Sequence, residues 1–203
     1  GQLLAGLNVV GTIHHAVDTA TFVLHPQPDD YLVFLGRFTE GKGVLEAIDI
    51  ARRTGLRLVL AAAANDYYRN VVAPMVDGRR IVYAGEVDLA AKVTLLGGAR
   101  ALLYPVQASE PFGLVMAEAM ACGTPVAAFR CGAVDELVDG GITGGIFDSL
   151  DALVDGLPLV LALDRGIVRN RAVERFGPDR MVASHVEVYS RLVTERQRAE
   201  RTA

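Results

Sequence analysis

The chain has 203 residues, of which 51% are hydrophobic and 22% charged, with a formal net charge of -4. That length suits one large domain with enough core to fold alone, and the charge balance carries no footprint of a nucleic-acid or polyanion partner. Two cysteines, Cys122 and Cys131, are too few for a disulfide framework and form no CxxC pair, so buried free thiols in a reducing compartment are expected. Gly1 to Val10 lack the basic region and cleavage-like site of a secretory signal. The apolar runs fall far short of the roughly 20 residues a membrane span needs. A cytoplasmic location is expected, and a membrane is not an expected partner of this chain.

Short apolar runs alternate with amphipathic stretches. Asn8 to Ile13 reads as a first strand inside an entry segment covering 1–30. Tyr31 to Leu35 is a strand closed by Gly36, and Val44 to Arg53 a helix with apolar residues at Val44, Leu45, Ile48 and Ala51. Strands follow at Arg57 to Ala62 and Ile81 to Ala84. Leu89 to Leu96 is a helix ended by Gly97 and Gly98, and Ala101 to Tyr104 a strand stopped by Pro105. Leu114 to Ala121 is a helix with Gly123 just past its end; Leu114, Ala117 and Ala121 are spaced to face the sheet. Pro125 to Phe129, Val134 to Val138 and Gly144 to Phe147 read as strand, helix and strand. Mostly helical sequence fills Ser149 to Arg198, and the polar residues 199–203 are expected to fray.

Continuous apolar runs are the mark of strands buried on both faces. Strand–helix–strand repetition implies parallel pairing with right-handed crossovers. The fold class is therefore α/β, an open doubly wound parallel sheet of about six strands with C-terminal helices, its main domain covering 31–198. Ligands of such sheets bind beyond the carboxyl ends of the strands, near the point where strand order reverses. Gly36–Gly43, Ala63–Asn65, Gly85–Asp88 and Gln107–Leu114 then share one rim.

Two segments of that rim carry chemistry. Gly36 to Gly43 follows a strand and opens a helix, its three glycines allow close backbone approach, and a helix N-terminus favours an anion. Arg37 can grip phosphate bidentately and Lys42 supplies a point charge. The segment lacks P-loop spacing, and taken alone it reads equally as a Gly-rich turn with two solvated cations. In Glu110 to Val126, Glu110 precedes a helix and Glu118 lies inside it among apolar residues. Carboxylates accept from sugar and ribose hydroxyls, and the N–H groups of Phe112, Gly113 and Leu114 are free at the helix start. Together the segments complement a diphosphate with hydroxyl-rich groups at both ends. The adjacent His14 and His15 point to opposite faces of an extended segment, one packed and one exposed.

In that order, His14 to Phe22, Gly36-Arg37 with Lys42-Gly43, Glu110-Pro111-Phe112-Gly113 with Glu118, Ala119 to Val126, and Gly132 with Glu136-Leu137-Val138 resemble the C-terminal, donor-binding domain of the retaining glycosyltransferases of the GT-B fold, family 4. The resemblance spans Ile13 to Val193. It implies that Arg37 and Lys42 bind the donor diphosphate and steady charge on the leaving nucleotide, so that Arg37, Lys42 and Glu110 are the catalytic candidates. It implies that Glu110 holds the donor sugar, that Glu118 holds the ribose, and that the backbone of Phe112, Gly113 and Leu114 contacts sugar and phosphates. Gly36 belongs to the same site, and Val87 to the loop that receives the base. The implied substrate is a UDP- or GDP-sugar, UDP favoured, with no cofactor and no metal, the two cations doing the metal's work; the sequence has no Asp-x-Asp motif. His15-Ala16 stands where the family has Asn-Gly, and Ala61 to Ala64 stand where a glycine is common, narrowing the base pocket. The family's acceptor-binding N-terminal domain has no room here. The expectation is a piece of a longer protein, or a chain completed by a partner, inactive in isolation.

Overall fold

The computed structural model describes Gly6 and residues 9–108 and 110–202. Six strands, β1 (Leu32–Leu35), β2 (Leu58–Ala61), β3 (Ile81–Gly85), β4 (Ala101–Tyr104), β5 (Val126–Phe129) and β6 (Gly144–Phe147), form one sheet in the order β3-β2-β1-β4-β5-β6. Every pairing is parallel, with Leu32 opposite both Leu58 and Ala101. Successive strand residues point to opposite faces. Val33, Leu102, Tyr104 and Val126 join one core with helices α2 (Leu89–Gly98), α3 (Leu114–Ala121) and α6 (Arg165–Phe176). Leu32, Phe34, Leu58, Leu60 and Leu103 join the other with α1 (Val44–Thr54) and α5 (Leu150–Leu161). The expected doubly wound α/β sheet is thus the observed one. Its order reverses between β1 and β4, which opens a crevice above their carboxyl ends.

Helix starts follow local chemistry. The side chains of Asp88, Ser149 and Asp164 accept from the backbone N–H three residues on and cap α2, α5 and α6. A short helix α4 (Val134–Leu137) precedes β6, and α7 (Pro178–Thr202) ends the chain.

Two expectations are corrected. The expected strand from Asn8 to Ile13 does not form over its described residues 9–13; Asn8 lies outside the described residues. Both sides of β1 are already taken, Val9 is 54% exposed, and the Val10 carbonyl accepts from Arg191 of α7. Gly97 and Gly98 continue α2 instead of ending it. A Cβ at Gly98 would lie 2.5 Å from the Tyr31 Oη, and one at Gly97 3.1 Å from the His25 Cβ. The glycines are there to let residues 25–31 pass against the helix. Helix α7 runs through residues 199–202, and Ala203 lies outside the described residues.

The entry segment is bound into the domain. Arg169 of α6 donates to the carbonyls of Phe22 at 2.5 Å, Thr19 at 3.0 Å and Ala121, and Arg165 to those of His25, Ala99 and Gly97. Phe22 is buried as a result, beneath the C-terminal end of α3.

Candidate functional site

The loop after β1 is anchored by one aromatic ring. Phe38 is fully buried, stacked 6.1 Å from Phe34 and 5.2 Å from Tyr68. With Phe38 turned inward, Arg37 is left exposed at the crevice, and its side chain makes no hydrogen bond or ion pair with any described residue. Glu40–Lys42 then form one turn of 3-10 helix, closed by Gly43 at φ 75°. A Cβ at Gly43 would stand 1.9 Å from the Pro105 carbonyl oxygen. The Gly41 carbonyl accepts from the amides of Gln107 and Ala108 at 3.0 and 3.2 Å. The loops after β1 and β4 are therefore stitched together, and the stitch sets where Lys42 can reach.

The loop after β4 is held from behind. The Glu110 carbonyl accepts from the Ala133 amide at 3.3 Å, and only a glycine fits at 132, where a Cβ would lie 2.6 Å from that same oxygen. Gly113, at φ 87°, turns the chain into α3. Helix α3 is buried on nearly every side, by Met116, Ala117, Ala119, Met120 and Ala121, because it packs against α2, α6, β4 and β5 at once. Ala117 and Ala121 are buried as the spacing predicts. Leu114 is not: it is 47% exposed and lines the crevice, because the first turn of α3 overhangs the end of β4.

These elements enclose a cleft of about 550 Å³. Of the residues singled out in the sequence, Gly36, Arg37, Lys42, Glu110, Phe112, Gly113, Leu114 and Glu118 line it. Val87 does not; it sits beyond the cleft in the loop after the edge strand β3. His14 is half-buried, bonded through Nε2 to the Glu136 carboxylate at 3.0 Å, and His15 is exposed with its ring edge-on to Phe112 at 5.2 Å, one packed and one open as expected.

Two polar lining residues escaped the sequence reading. Lys92 of α2 bonds the Glu118 carboxylate at 2.5 Å, and its ammonium lies 5.5 Å from the Phe22 ring centre. A lone lysine on a helix reads as solvated. The available signal was compositional: of 20 basic residues only Lys42 and Lys92 are lysine, and both reach this cleft. Tyr104, the last residue of β4, reads as strand core, yet it too lines the cleft and is only 6% exposed. Burial, reinforced by the Glu110 carboxylate, holds its phenol well above the usual tyrosine range.

The cleft is electrostatically sorted. Lys42 pairs with Glu110 and Lys92 with Glu118, while Arg37 pairs with none of the described residues. The helix-start amides at 112–114 add partial positive charge without a side-chain cap. Such an arrangement has the chemistry to take an anion near Arg37 and hydroxyl groups at the two carboxylates. Among the described residues, no group of three or more His, Cys, Asp or Glu is arranged to hold a metal ion. Of the two thiols only Cys122 is buried, where burial pushes it up to about 11, whereas Cys131 is half-exposed at the surface behind Glu110, a correction to the expectation of two buried cysteines. No helix among the described residues is long and apolar enough to cross a membrane.

Comparison with known proteins places this geometry. The chain is 30% identical over 196 residues to the alpha-maltose-1-phosphate synthase of Mycobacterium tuberculosis, covering 84% of this chain and 50% of that protein. It is 32% identical over 181 residues to the D-inositol 3-phosphate glycosyltransferase of Mycobacterium avium, covering 81% of this chain and 39% of the relative. The chain thus spans about half the length, or less, of these relatives. The crystal structure of a glycosyltransferase involved in avilamycin A biosynthesis superposes with a TM-score of 0.80 at 29% identity, over 94% of this chain and 60% of that one. Anabaena HepE in complex with UDP shares the fold, with a TM-score of 0.74 at 18% identity over 89% and 57% of the two chains. The sheet is accordingly the Rossmann-like half of a GT-B fold. Residues 29–162 match the family described as glycosyl transferases group 1, a stretch that contains both stitched loops and all of α3, and the chain belongs to that family.

Proposed function

We propose that this chain is the donor-binding domain of a retaining hexosyltransferase of family 4, taking a nucleoside-diphosphate sugar with UDP favoured over GDP. The observation that carries the reading is convergence: Arg37 and Lys42 from the loop after β1 meet Glu110 and Glu118 from the loop and helix after β4 in one cleft at the reversal of strand order. In this reading Arg37 and Lys42 grip the diphosphate and stabilise charge as the nucleotide leaves, an interaction stronger in the transition state than before it. Glu110 holds sugar hydroxyls and Glu118 the ribose. The amides of Phe112, Gly113 and Leu114 contact sugar and phosphate, Gly36 lets the diphosphate approach the backbone, and the loop at Val87 receives the base. No cofactor or metal enters this reading, because the two cations carry the charge. Transfer to the acceptor requires an N-terminal domain in the same or a separate chain, and a cytoplasmic location goes with it.

The relatives' greater length favours transfer by a longer protein and leaves a second reading, a donor-binding subunit that works with a separate acceptor-binding chain. Calorimetric titration with UDP and GDP tests the site common to both. A hydrogen bond to an ionised group is worth about 1.5–3 kcal/mol, so the double variant Arg37→Ala, Lys42→Ala loses at least about 100-fold in affinity. Unchanged affinity in that variant sinks the phosphate site. The anomeric configuration of the product, read by NMR on the full-length protein or the reconstituted pair, tests retention.

A further inference from the structure

The donor-site reading leaves one cation of the cleft unused. Helix α2 follows the loop at Val87, α3 follows the loop at Glu110, and the two helices touch. Each contributes one charged side chain to the lining of the cleft, Lys92 from the first turn of α2 and Glu118 from the second turn of α3. The Lys92 ammonium bonds Oε1 of Glu118 at 2.5 Å, and the Phe22 ring backs it at 5.5 Å. Phe22 is itself fixed, its carbonyl held by Arg169. The pair is positioned without being used up. An ammonium carries three N–H donors, and among the described residues that of Lys92 meets no acceptor besides Glu118. Oε2 of Glu118 accepts no hydrogen bond from them. The Lys92 side chain is 24% exposed and that of Glu118 12%, so both remain within reach from the cleft they line.

We infer that Lys92 is a specificity-determining residue that donates a hydrogen bond to one hydroxyl of the nucleotide's ribose while Glu118 accepts from the neighbouring hydroxyl, so that the pair reads a vicinal diol and selects ribonucleotides against their deoxy counterparts. The inference rests on the donor-site reading, which gives the ribose to Glu118 alone, and adds to it a residue and a chemical requirement. With the diphosphate at Arg37 and the base at the Val87 loop, the ribose that joins them falls to α2 and α3, the two helices that carry the pair. A diol suits a joined cation and anion because each hydroxyl has both a lone pair and a proton. One hydroxyl offers its lone pair to the ammonium, the next its proton to the free carboxylate oxygen, and each bond polarises the other. A phosphate at this place would satisfy Lys92 but bring its charge against Glu118. A deoxy carbon would set a C–H group against a charge already stripped of part of its water, and a site built for hydroxyls rejects strongly an analogue that lacks one.

The test titrates the unaltered chain and Lys92→Met by calorimetry with UDP, 2′-deoxy-UDP and 3′-deoxy-UDP, or with the guanine series if GDP binds more tightly, at a temperature well below the unfolding midpoint of each protein. The unaltered chain should bind each deoxy analogue at least about tenfold more weakly than the parent nucleotide, the worth of one hydrogen bond to a charged group. Lys92→Met should lose at least about tenfold for the parent, while the analogue that lacks the hydroxyl served by Lys92 stays within about threefold, because the contact removed was already missing. Lys92→Gln, which keeps a neutral donor, should show the same pattern with a smaller loss, and it carries the test if Lys92→Met does not fold. Equal loss for the parent and both analogues means that Lys92 only steadies the fold around Glu118, and overturns the inference. Unchanged affinity for the parent nucleotide, or an unaltered chain that binds ribo and deoxy forms alike, overturns it too; each of these results leaves the donor site standing. Failure of the unaltered chain to bind either UDP or GDP overturns the donor-site reading and the inference with it.

Discussion

Substituting Lys92 by Met separates the stability of the cleft from its binding chemistry. The Glu118 side chain is 12% exposed and Lys92 24%, with 2.5 Å between their charged atoms. Removing one partner of a fully buried pair costs about 3–5 kcal/mol, because the other charge is left without compensation. This pair opens onto the cleft and water can reach part of it, so the cost should be lower, about 1–3 kcal/mol. Methionine keeps an unbranched apolar stem against Phe22, which limits the loss to the charge. For a domain of this size 1 kcal/mol moves the unfolding midpoint by roughly 2–4 °C, so Lys92→Met should melt about 3–10 °C early. Replacing both residues, as Lys92→Met with Glu118→Leu, removes the stranded carboxylate and should recover most of that deficit. The assay is thermal and urea unfolding of the two single variants and the double variant, read as a cycle with a coupling of about 1–2 kcal/mol. A single variant that melts with the unaltered chain, or a double variant as unstable as the sum of its parts, refutes the claim that Lys92 exists to hold Glu118.

Gly43→Ala should cost at least about 2 kcal/mol, since a left-handed backbone alone costs roughly 1–2 kcal/mol in a non-glycine residue and the new methyl would sit 1.9 Å from the Pro105 oxygen; UDP titration should weaken with it, because the stitch that aims Lys42 is displaced, and a stable variant with full affinity counts against the stitch. Alkylation of the folded protein at pH 8 should label Cys131 and spare Cys122, whose thiol is pushed up to about 11 by burial, until denaturant is added; equal labelling by mass spectrometry rules this out. The Asp77 carboxylate accepts from the amides of Arg79, Arg80 and Ile81, and those hydrogen bonds hold its carboxyl below the usual range. A depressed folded value means the contribution is complete above the unfolded aspartate value near about 4 and is lost as pH falls through the folded one. Asp77→Ala should therefore melt earlier at pH 7 and the gap should narrow toward acid, whereas a gap independent of pH contradicts the linkage.

Much of the fold was legible along the chain because it is written in short-range chemistry. Runs such as Leu32–Leu35 and Ala101–Tyr104 are apolar at every position because both faces of a central parallel strand are covered. Val44–Thr54 announces a helix by its spacing and stops at Gly55, which takes φ 75° there. The alternation of such runs then leaves the doubly wound sheet as the natural arrangement, and the rim positions of Arg37, Lys42, Glu110 and Glu118 follow from it. Local pattern misled where a residue answers to a distant neighbour. Gly97 and Gly98 read as a helix end but serve the passing chain at 25–31, and the valines at 9 and 10 read as strand but find no free sheet edge beside β1. What tertiary structure alone decided is the wiring of the cleft. Lys92 and Glu118 are 26 positions apart, and Lys42 and Glu110 are 68 apart. Nothing in either neighbourhood names the partner. Their meeting depends on β4 lying beside β1 instead of beside β3, a choice made by the packing of both faces of the sheet. The same choice buries the Tyr104 hydroxyl beneath Gly113 and leaves Arg37 exposed at the crevice, because charges and hydroxyls acquire partners only when distant segments are brought to within a few ångströms.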